Sequence, residues 1–293
     1  MRLQFKNKAL SLDSPAVMGI LNVTPDSFYD GGKHIGKEEI LLHAQKMIAE
    51  GADIIDIGAC STRPDAKDVT EEEELKQLIP AIELVRQKFP DIIISADTFR
   101  SRVAEETVNA GADMINDISG GGFVTPSNVI PNGAEGAVEG SFNMFEVISK
   151  LKVPYILMHI QGTPKTMQKD PQYIDVVKEV KNYLLEKVGR LKGLKVGQII
   201  IDPGFGFGKT TEHNYALLKH LFEFKEFGFP ILAGVSRKSM INKVIGTKPE
   251  TALNGTTVAN TIALMNGANI LRVHDVKEAK EAVKIFTFTQ KAK

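Results

Sequence analysis

At 293 residues the chain is long for one ordinary domain and about right for one α/β barrel, with 43% apolar residues to build a large core. Lys+Arg and Asp+Glu number 36 each, so no net field draws the protein to nucleic acid or to a membrane surface. The absence of an apolar run near the roughly 18 residues of a membrane helix, and a start, Met1-Arg2-Leu3-Gln4-Phe5-Lys6, too polar for a signal peptide, give the expectation of a soluble cytoplasmic protein.

In chain order, short apolar segments at 16–21, 54–57, 92–96, 114–115, 155–158, 199–201, 231–235 and 270–273 read as strands buried on both faces. Helical-period stretches lie between most of them, at 38–50, 71–88, 102–109 and 175–191. One phrase recurs at three junctions: Gly51-Ala52-Asp53-Ile54-Ile55-Asp56, Gly111-Ala112-Asp113-Met114-Ile115-Asn116 and Gly267-Ala268-Asn269-Ile270-Leu271-Arg272. Each sets Gly where a helix ends in a left-handed residue, then opens a strand that delivers a polar side chain near its end. Strands alternating with helices predict a parallel sheet. Eight of them predict closure into a (β/α)8 TIM barrel, an α/β fold, with an open doubly wound sheet as the competing arrangement. The rhythm breaks at 119–141, a Gly-rich stretch with Pro126, Asn128, Pro131 and Asn132-Gly133 that reads as a long insertion after the fourth strand. It is either a passive surface loop or a functional segment. No other stretch looks like a linker, so one domain is expected over 1–293.

The strand ends carry Asn22, Asp56, Asp97, Asn116-Asp117, His159, Asp202, Ser236-Arg237-Lys238 and Arg272 with His274. In a parallel barrel these ends converge on one face, where the βα loops build the active site. Any one of them could be a structural cap, but a polar residue at every end predicts a polar pocket with both carboxylates and cations. Asp97, Asn116 and Asp202 accept hydrogen bonds and suit a flat heterocycle with several N–H groups. Arg63, Arg237, Lys238, Arg272 and His274 supply donors for a phosphate or carboxylate; Arg272 could instead stack on a ring face.

The loop Asp202-Pro203-Gly204-Phe205-Gly206-Phe207-Gly208-Lys209-Thr210 invites a phosphate-loop reading but lacks the Walker spacing. Glycine flexibility that sets Phe207 against a substrate fits it better. His159, His213, His220 and His274 show no metal-site spacing. That leaves a Mg²⁺ held mainly by substrate phosphates, with one or two protein oxygens. The single cysteine, Cys60, follows a strand end, but nothing beside it in sequence marks an activating base.

Asn22-Val23-Thr24-Pro25-Asp26-Ser27-Phe28 resembles the first signature of the dihydropteroate synthases, a pterin-binding enzyme family of folate biosynthesis. Ser61-Thr62-Arg63-Pro64, Asp97-Thr98, Ile115-Asn116-Asp117 and Met158-His159-Ile160-Gln161-Gly162-Thr163-Pro164 resemble the family's next motifs, in its order. Asp202–Lys209, Ser236-Arg237-Lys238-Ser239 and Arg272-Val273-His274-Asp275-Val276 complete the set. The resemblance implies a transferase joining 6-hydroxymethyl-7,8-dihydropterin pyrophosphate to p-aminobenzoate, with release of pyrophosphate. It implies Asp97, Asp202 and Lys238 as catalytic residues, and Asp97, Asn116, Asp202, Lys238 and Arg272 around the pterin. Asn22, Arg63, Arg272 and His274 would take the pyrophosphate, Asn22 also holding Mg²⁺. Phe28, Thr62, Pro64, Phe207, Lys238 and Ser239 would form the p-aminobenzoate site, which sulfonamides mimic. A homodimer is implied as well.

The chain departs from the family at Gly58-Ala59-Cys60, where Gly-Gly-Glu is usual, and at Asp65 and Tyr29, where Gly and Ser are common. These changes bear on the second substrate rather than on the pterin. The competing activity on the same barrel is a pterin-binding methyltransferase domain, which needs no pyrophosphate donors. From another class, an inactive relative that binds pterins or a protein partner would lack turnover.

Overall fold

The computed structural model describes residues 1–23, 35–60, 69–122 and 143–292. A hairpin of β1 (Arg2–Gln4) and β2 (Ala9–Ser11) precedes eight parallel strands. These are β3 (Ala16–Asn22), β4 (Ile54–Gly58), β5 (Ile93–Asp97), β6 (Met114–Asp117), β7 (Tyr155–Met158), β8 (Ile199–Asp202), β9 (Leu232–Ala233) and β10 (Ile270–Val273). Hydrogen bonding orders them β8-β7-β6-β5-β4-β3-β10-β9, and a parallel bridge between Ile201 and Ile231 brings β8 and β9 together into a barrel. An open doubly wound sheet is thereby ruled out.

Helices α1 (Ile35–Ala49), α2 (Glu71–Lys88), α3 (Ser101–Asn109), α4 (Met144–Leu151), α5 (Val176–Gly193) and α6 (Thr211–Lys219) follow β3 to β8 in turn. After β9 come α7 (Ser239–Ile245) and α8 (Leu253–Met265), and after β10 comes α9 (Val276–Lys291). Among the described residues no helix is long and apolar enough to cross a membrane. The strands predicted at 155–158 and 270–273 match in full, whereas that at 231–235 shrinks to two residues. Only the base of the 119–141 insertion, Ser119 to Gly122, is described; the rest lies outside the described residues.

Side chains alternate along each strand, so every second residue enters the barrel. Met18, Ile54, Ile93, Met114, Ile156, Ile200, Leu232 and Ile270 fill its lower interior as one apolar cluster. Leu3, Phe5 and Leu12 of the hairpin region join that cluster and plug the barrel beneath it, an element the sequence reading did not anticipate. The alternate residues, among them Ile55, Ile57, Ile94, Ala96, Leu157, Ile201, Leu271 and Val273, face outward into the core shared with the helices.

The Gly-Ala-Asp/Asn phrase has two structural jobs. Gly51, Gly111 and Gly267 take φ of 99°, 117° and 102°, a left-handed turn that ends the helix and opens the strand. The next polar residue then ties its strand to a neighbour. Asp53 accepts from Val17 N at 2.7 Å, Asp113 from Ile94 N at 2.9 Å, and Asn269 accepts from Ile231 N at 3.0 Å. Three parallel strand pairs are thus locked in register at the end opposite the polar pocket.

Candidate active site

Immediately above the apolar layer the inward positions turn polar. Asp56 stands opposite Ser95, and Asp97 opposite Asn116, in the parallel registers of β4–β5 and β5–β6. Arg272 enters from β10 and spans the barrel mouth: its Nε donates to Asp56 Oδ2 and its Nη2 to Asp97 Oδ2, each at 2.6 Å. Asn116 Nδ2 also donates to Asp56 Oδ2, at 3.0 Å. Asp56 Oδ1 and Ser95 Oγ are buried with no hydrogen-bond partner among the described residues. Unsatisfied buried acceptors are costly, which marks this floor as built to receive a polar molecule.

Asp202 closes the ring from β8, its Oδ1 accepting from Gly204 N at 2.7 Å. Lys238 approaches from beyond β9. Its Nζ donates to Phe205 O at 2.5 Å and lies 4.8 Å from the centroid of the Phe207 ring. The backbone turns Lys238 inward through Arg237, a non-glycine residue held at φ 55°. That strained conformation is fixed by Arg237 itself: Nε and Nη2 pair with Asp275 at 2.8 and 2.7 Å, and Nη1 donates to Pro249 O at 2.7 Å.

Crowding of charge in a low-dielectric cleft sets the protonation states. Burial pushes Asp97 up to about 7, against the pull of Arg272. It raises Asp202 as well, opposed chiefly by Lys238. Lys238 is held down to about 8 by burial, with Asp202 working the other way. Burial opposes the charge on Arg272 too, but Asp56 and Asp97 outweigh it, and its pKa rises. Two groups, Asp97 and Lys238, therefore titrate close to neutrality on opposite sides of the pocket, as expected of a functional site.

The structure brings Asp97, Asn116, Asp202, Lys238 and Arg272 together as the strand-end pattern predicts, and adds Asp56 as the carboxylate to which Arg272 and Asn116 both bind. It separates others. Asp117, adjacent to Asn116, points outward and accepts from Ser119 Oγ, Gly121 N and Tyr155 Oη at 2.6, 2.8 and 2.6 Å. Arg237, read from sequence as an anion donor, is committed to Asp275. His159 is buried beneath the β8 loop rather than in the pocket, its Nδ1 2.8 Å from Lys209 Nζ.

His274 sits at the rim with Nδ1 3.0 Å from Ser236 Oγ; burial and the Arg272 charge lower its pKa to about 4, leaving a neutral ring. Ser239 is exposed as the first residue of α7, and Asn22 is exposed at the end of β3. Phe28, Thr62, Arg63 and Pro64 lie outside the described residues. Cys60 is held up to about 12 by burial and by Glu74, so its thiol is inert at neutral pH. Among the described residues no group of three or more His, Cys, Asp or Glu is arranged to hold a metal ion.

A (β/α)8 barrel whose mouth is ringed by buried acids, an amide and two cations defines an enzyme acting on a small polar heterocycle. Residues 18–274 match the family described as pterin binding enzyme. The dihydropteroate synthase of Escherichia coli (strain K12) is 44% identical over 295 residues, covering 100% of this chain and 98% of that one. Among solved structures, the dihydropteroate synthase of Yersinia pestis in complex with a sulfonamide drug aligns with a TM-score of 0.85 at 41% identity, covering 100% of both chains. That of Xanthomonas albilineans in complex with 7,8-dihydropteroate aligns with a TM-score of 0.83 at 37% identity, again over 100% of both. The chain belongs to the pterin-binding enzyme family, on its dihydropteroate synthase branch.

Proposed function

We propose that the chain condenses 6-hydroxymethyl-7,8-dihydropterin pyrophosphate with p-aminobenzoate to give 7,8-dihydropteroate and pyrophosphate. The observation that carries this reading is the floor of Asp56, Asp97, Asn116 and Asp202 beneath Lys238 and Arg272, with buried acceptor atoms left unpaired. The pterin edge offers ring N–H and amino donors to Asp97, Asn116 and Asp202, while Lys238 donates to a ring acceptor. Arg272 covers the ring, leaving Asp97 to the ring's donors as it does so. In the reaction the p-aminobenzoate nitrogen attacks the exocyclic methylene, the carbon–oxygen bond to pyrophosphate breaks, and the amine loses a proton. Positive charge develops on the pterin as pyrophosphate leaves, and the fixed carboxylates of Asp97 and Asp202 stabilise it more than the ground state.

Arg272 and His274 face the departing pyrophosphate, with Arg63 and Asn22 assigned to it by the family resemblance. His274, neutral at physiological pH, offers the anion a ring N–H rather than a charge. A Mg²⁺ carried by the pyrophosphate would supply Lewis-acid stabilisation of the leaving group. The exposed amide of Asn22 offers one neutral oxygen, which fits an ion that takes its other ligands from phosphate and water. Phe207, Lys238 and Ser239 border p-aminobenzoate, joined through the resemblance by Phe28, Thr62 and Pro64. The pyrophosphate donors distinguish this reading from a methyltransferase domain, although Arg237 no longer counts among them.

A cytoplasmic homodimer belongs to the same reading. Val258, Ile262 and Met265 recur three and four apart on one face of α8 with 53%, 38% and 59% exposure, and Ile285 and Phe288 lie open on α9. An apolar patch of that kind suits a second copy of the chain. The test of the function is direct: purified protein, pterin pyrophosphate, Mg²⁺ and p-aminobenzoate should yield dihydropteroate and stoichiometric pyrophosphate. Pterin binding without either product would replace the reading with an inactive relative.

A further inference from the structure

The β8–α6 loop has the composition of a phosphate cradle, but its amides at Gly204 and Gly206 are spent on Asp202 and Asn214 and its carbonyls are gripped by side chains. Gly204 O and Phe207 O both accept from Lys209 Nζ, each at 2.9 Å. Phe205 O accepts from Lys238 at 2.5 Å, Gly206 O from Gln168 Nε2 at 2.7 Å, and Gly208 O from Tyr173 Oη at 2.9 Å. The loop lies flat on the residues after β7. A Cβ at Gly204, where φ is 72°, would fall 1.9 Å from His159 O, and one at Gly208 would fall 2.5 Å from Gln161 O.

Lys209 is buried, at 3% exposure, and its third N–H points to His159 Nδ1 at 2.8 Å. Three acceptors match the three N–H bonds of an ammonium. His159 is fixed in turn, its ring edge-on to Tyr183 with centroids 4.8 Å apart and its backbone N–H donating to Asp202 O at 3.0 Å. Burial, then the Lys209 charge, lowers the His159 pKa well below the usual value, so the ring stays neutral and Nδ1 accepts. Burial lowers the Lys209 pKa well below its usual value, Asp202 opposing and Lys238 adding to the shift, so the three contacts, rather than the charge, are what seat it.

No step of the reaction uses Lys209, and burying a lysine is costly unless its charge is placed. We propose that Lys209, seated on His159, is a positioning residue that fixes the 204–207 backbone so that the Phe205 carbonyl and Phe207 ring both meet Lys238. It thereby shapes the p-aminobenzoate side of the site most, because Asp56, Asp97 and Asn116 of the pterin floor stand on β4, β5 and β6 and, among the described residues, make no hydrogen bond to this loop. This rests on the reading that Phe207 and Lys238 border the second substrate.

In the full-length protein Lys209→Met should raise the KM for p-aminobenzoate about tenfold, the scale of a misplaced substrate contact. The Kd of a pterin lacking pyrophosphate should change clearly less than that KM, because Asp97 and Asn116 keep their strand positions. In a Phe207→Ala background the same substitution should add clearly less to KM than it does in the wild type, since part of its effect runs through that ring. Equal losses for both ligands, no loss, or additive losses with Phe207→Ala would overturn the proposal while wild-type turnover still supports the function. If wild-type turnover is absent, the function falls instead. Hydrogen exchange at the 204–208 amides then decides, with faster exchange in Lys209→Met expected and unchanged exchange refuting the staple. Should Lys209→Met fail to fold, Gln168→Ala, an exposed side chain on the Gly206 carbonyl, replaces it in the same cycle with the same expected signs.

Discussion

Arg272→Met is the substitution with the sharpest expected signature, because it removes a charge and keeps an unbranched stem. Arg272 serves two carboxylates at 2.6 Å; the Asp56 side chain is 0% exposed and that of Asp97 15%. Removing one partner of such a buried pair leaves uncompensated charge and costs about 3–5 kcal/mol. That cost depends on pH, through Asp97. Its folded pKa of about 7 already exceeds an unfolded value near 3.9. Between those values the folded chain holds a proton the unfolded chain has lost, so stability falls as pH rises through the window and levels off above it. Without Arg272 the folded pKa climbs further and the window extends upward, each added unit subtracting about 1.4 kcal/mol at alkaline pH. Urea unfolding of wild type and variant at pH 5.5 and 8.5 reads this directly. The variant's deficit should be near the full 3–5 kcal/mol at the higher pH and clearly smaller at the lower, where Asp97 is neutral in both proteins. A deficit equal at both pH values would show that Arg272 contributes packing rather than charge compensation.

Asp202→Asn keeps shape and removes the charge that the proposed function aims at the pterin, so kcat should drop on the order of 10²-fold; near-normal turnover of the purified variant would end its assigned role. The profile of kcat/KM against pH should rise as Asp97 ionises near 7 and fall as Lys238 loses its proton near 8. Lys238→Arg should abolish the alkaline limb, and a limb that survives unchanged belongs to another group. Tyr155→Phe deletes a 2.6 Å donor to the buried Asp117 carboxylate. It should cost about 1–3 kcal/mol of stability in a urea titration, with the pterin Kd unaltered; a changed Kd would place Asp117 in the binding machinery after all.

Much of this was legible in the sequence, and the misses share a cause. The strand ends could be found because apolar runs and Gly-Ala-Asp junctions mark them locally. Which way each end residue points is a matter of parity, and parity flips over one residue: Asn116 faces the pocket while Asp117 anchors the Ser119–Gly121 turn outside it. The same one-residue shift separates Lys238, turned inward, from Arg237, spent on Asp275. Asp56 was visible as a polar strand residue, but its partner Arg272 is 216 positions away, a pairing that only barrel closure creates. The hairpin plug escaped because three-residue strands carry no period, and its value lies in three apolar side chains beneath a barrel that must already exist. Lys209 looked like the tail of a phosphate motif; its burial on His159 depends on two loops meeting.

The division between floor and loops bears on how the site works. Acids and an amide that must recognise one flat heterocycle stand on strands whose register is locked from below by Asp53, Asp113 and Asn269. Their charges are thereby held in place before the substrate arrives, which is where electrostatic stabilisation of a developing cation gains most. The cost of burying them is offset by Arg272, which pairs with both Asp56 and Asp97. On the proposed reading the second substrate meets a different kind of surface, a glycine loop and Lys238, joined to each other through backbone carbonyls. By the same reading, substitutions in the loop retune the aromatic amine more than the pterin, reaching the latter only through Asp202 and Lys238, whereas substitutions on the strands cannot change pterin recognition without also changing the charge balance at the barrel mouth.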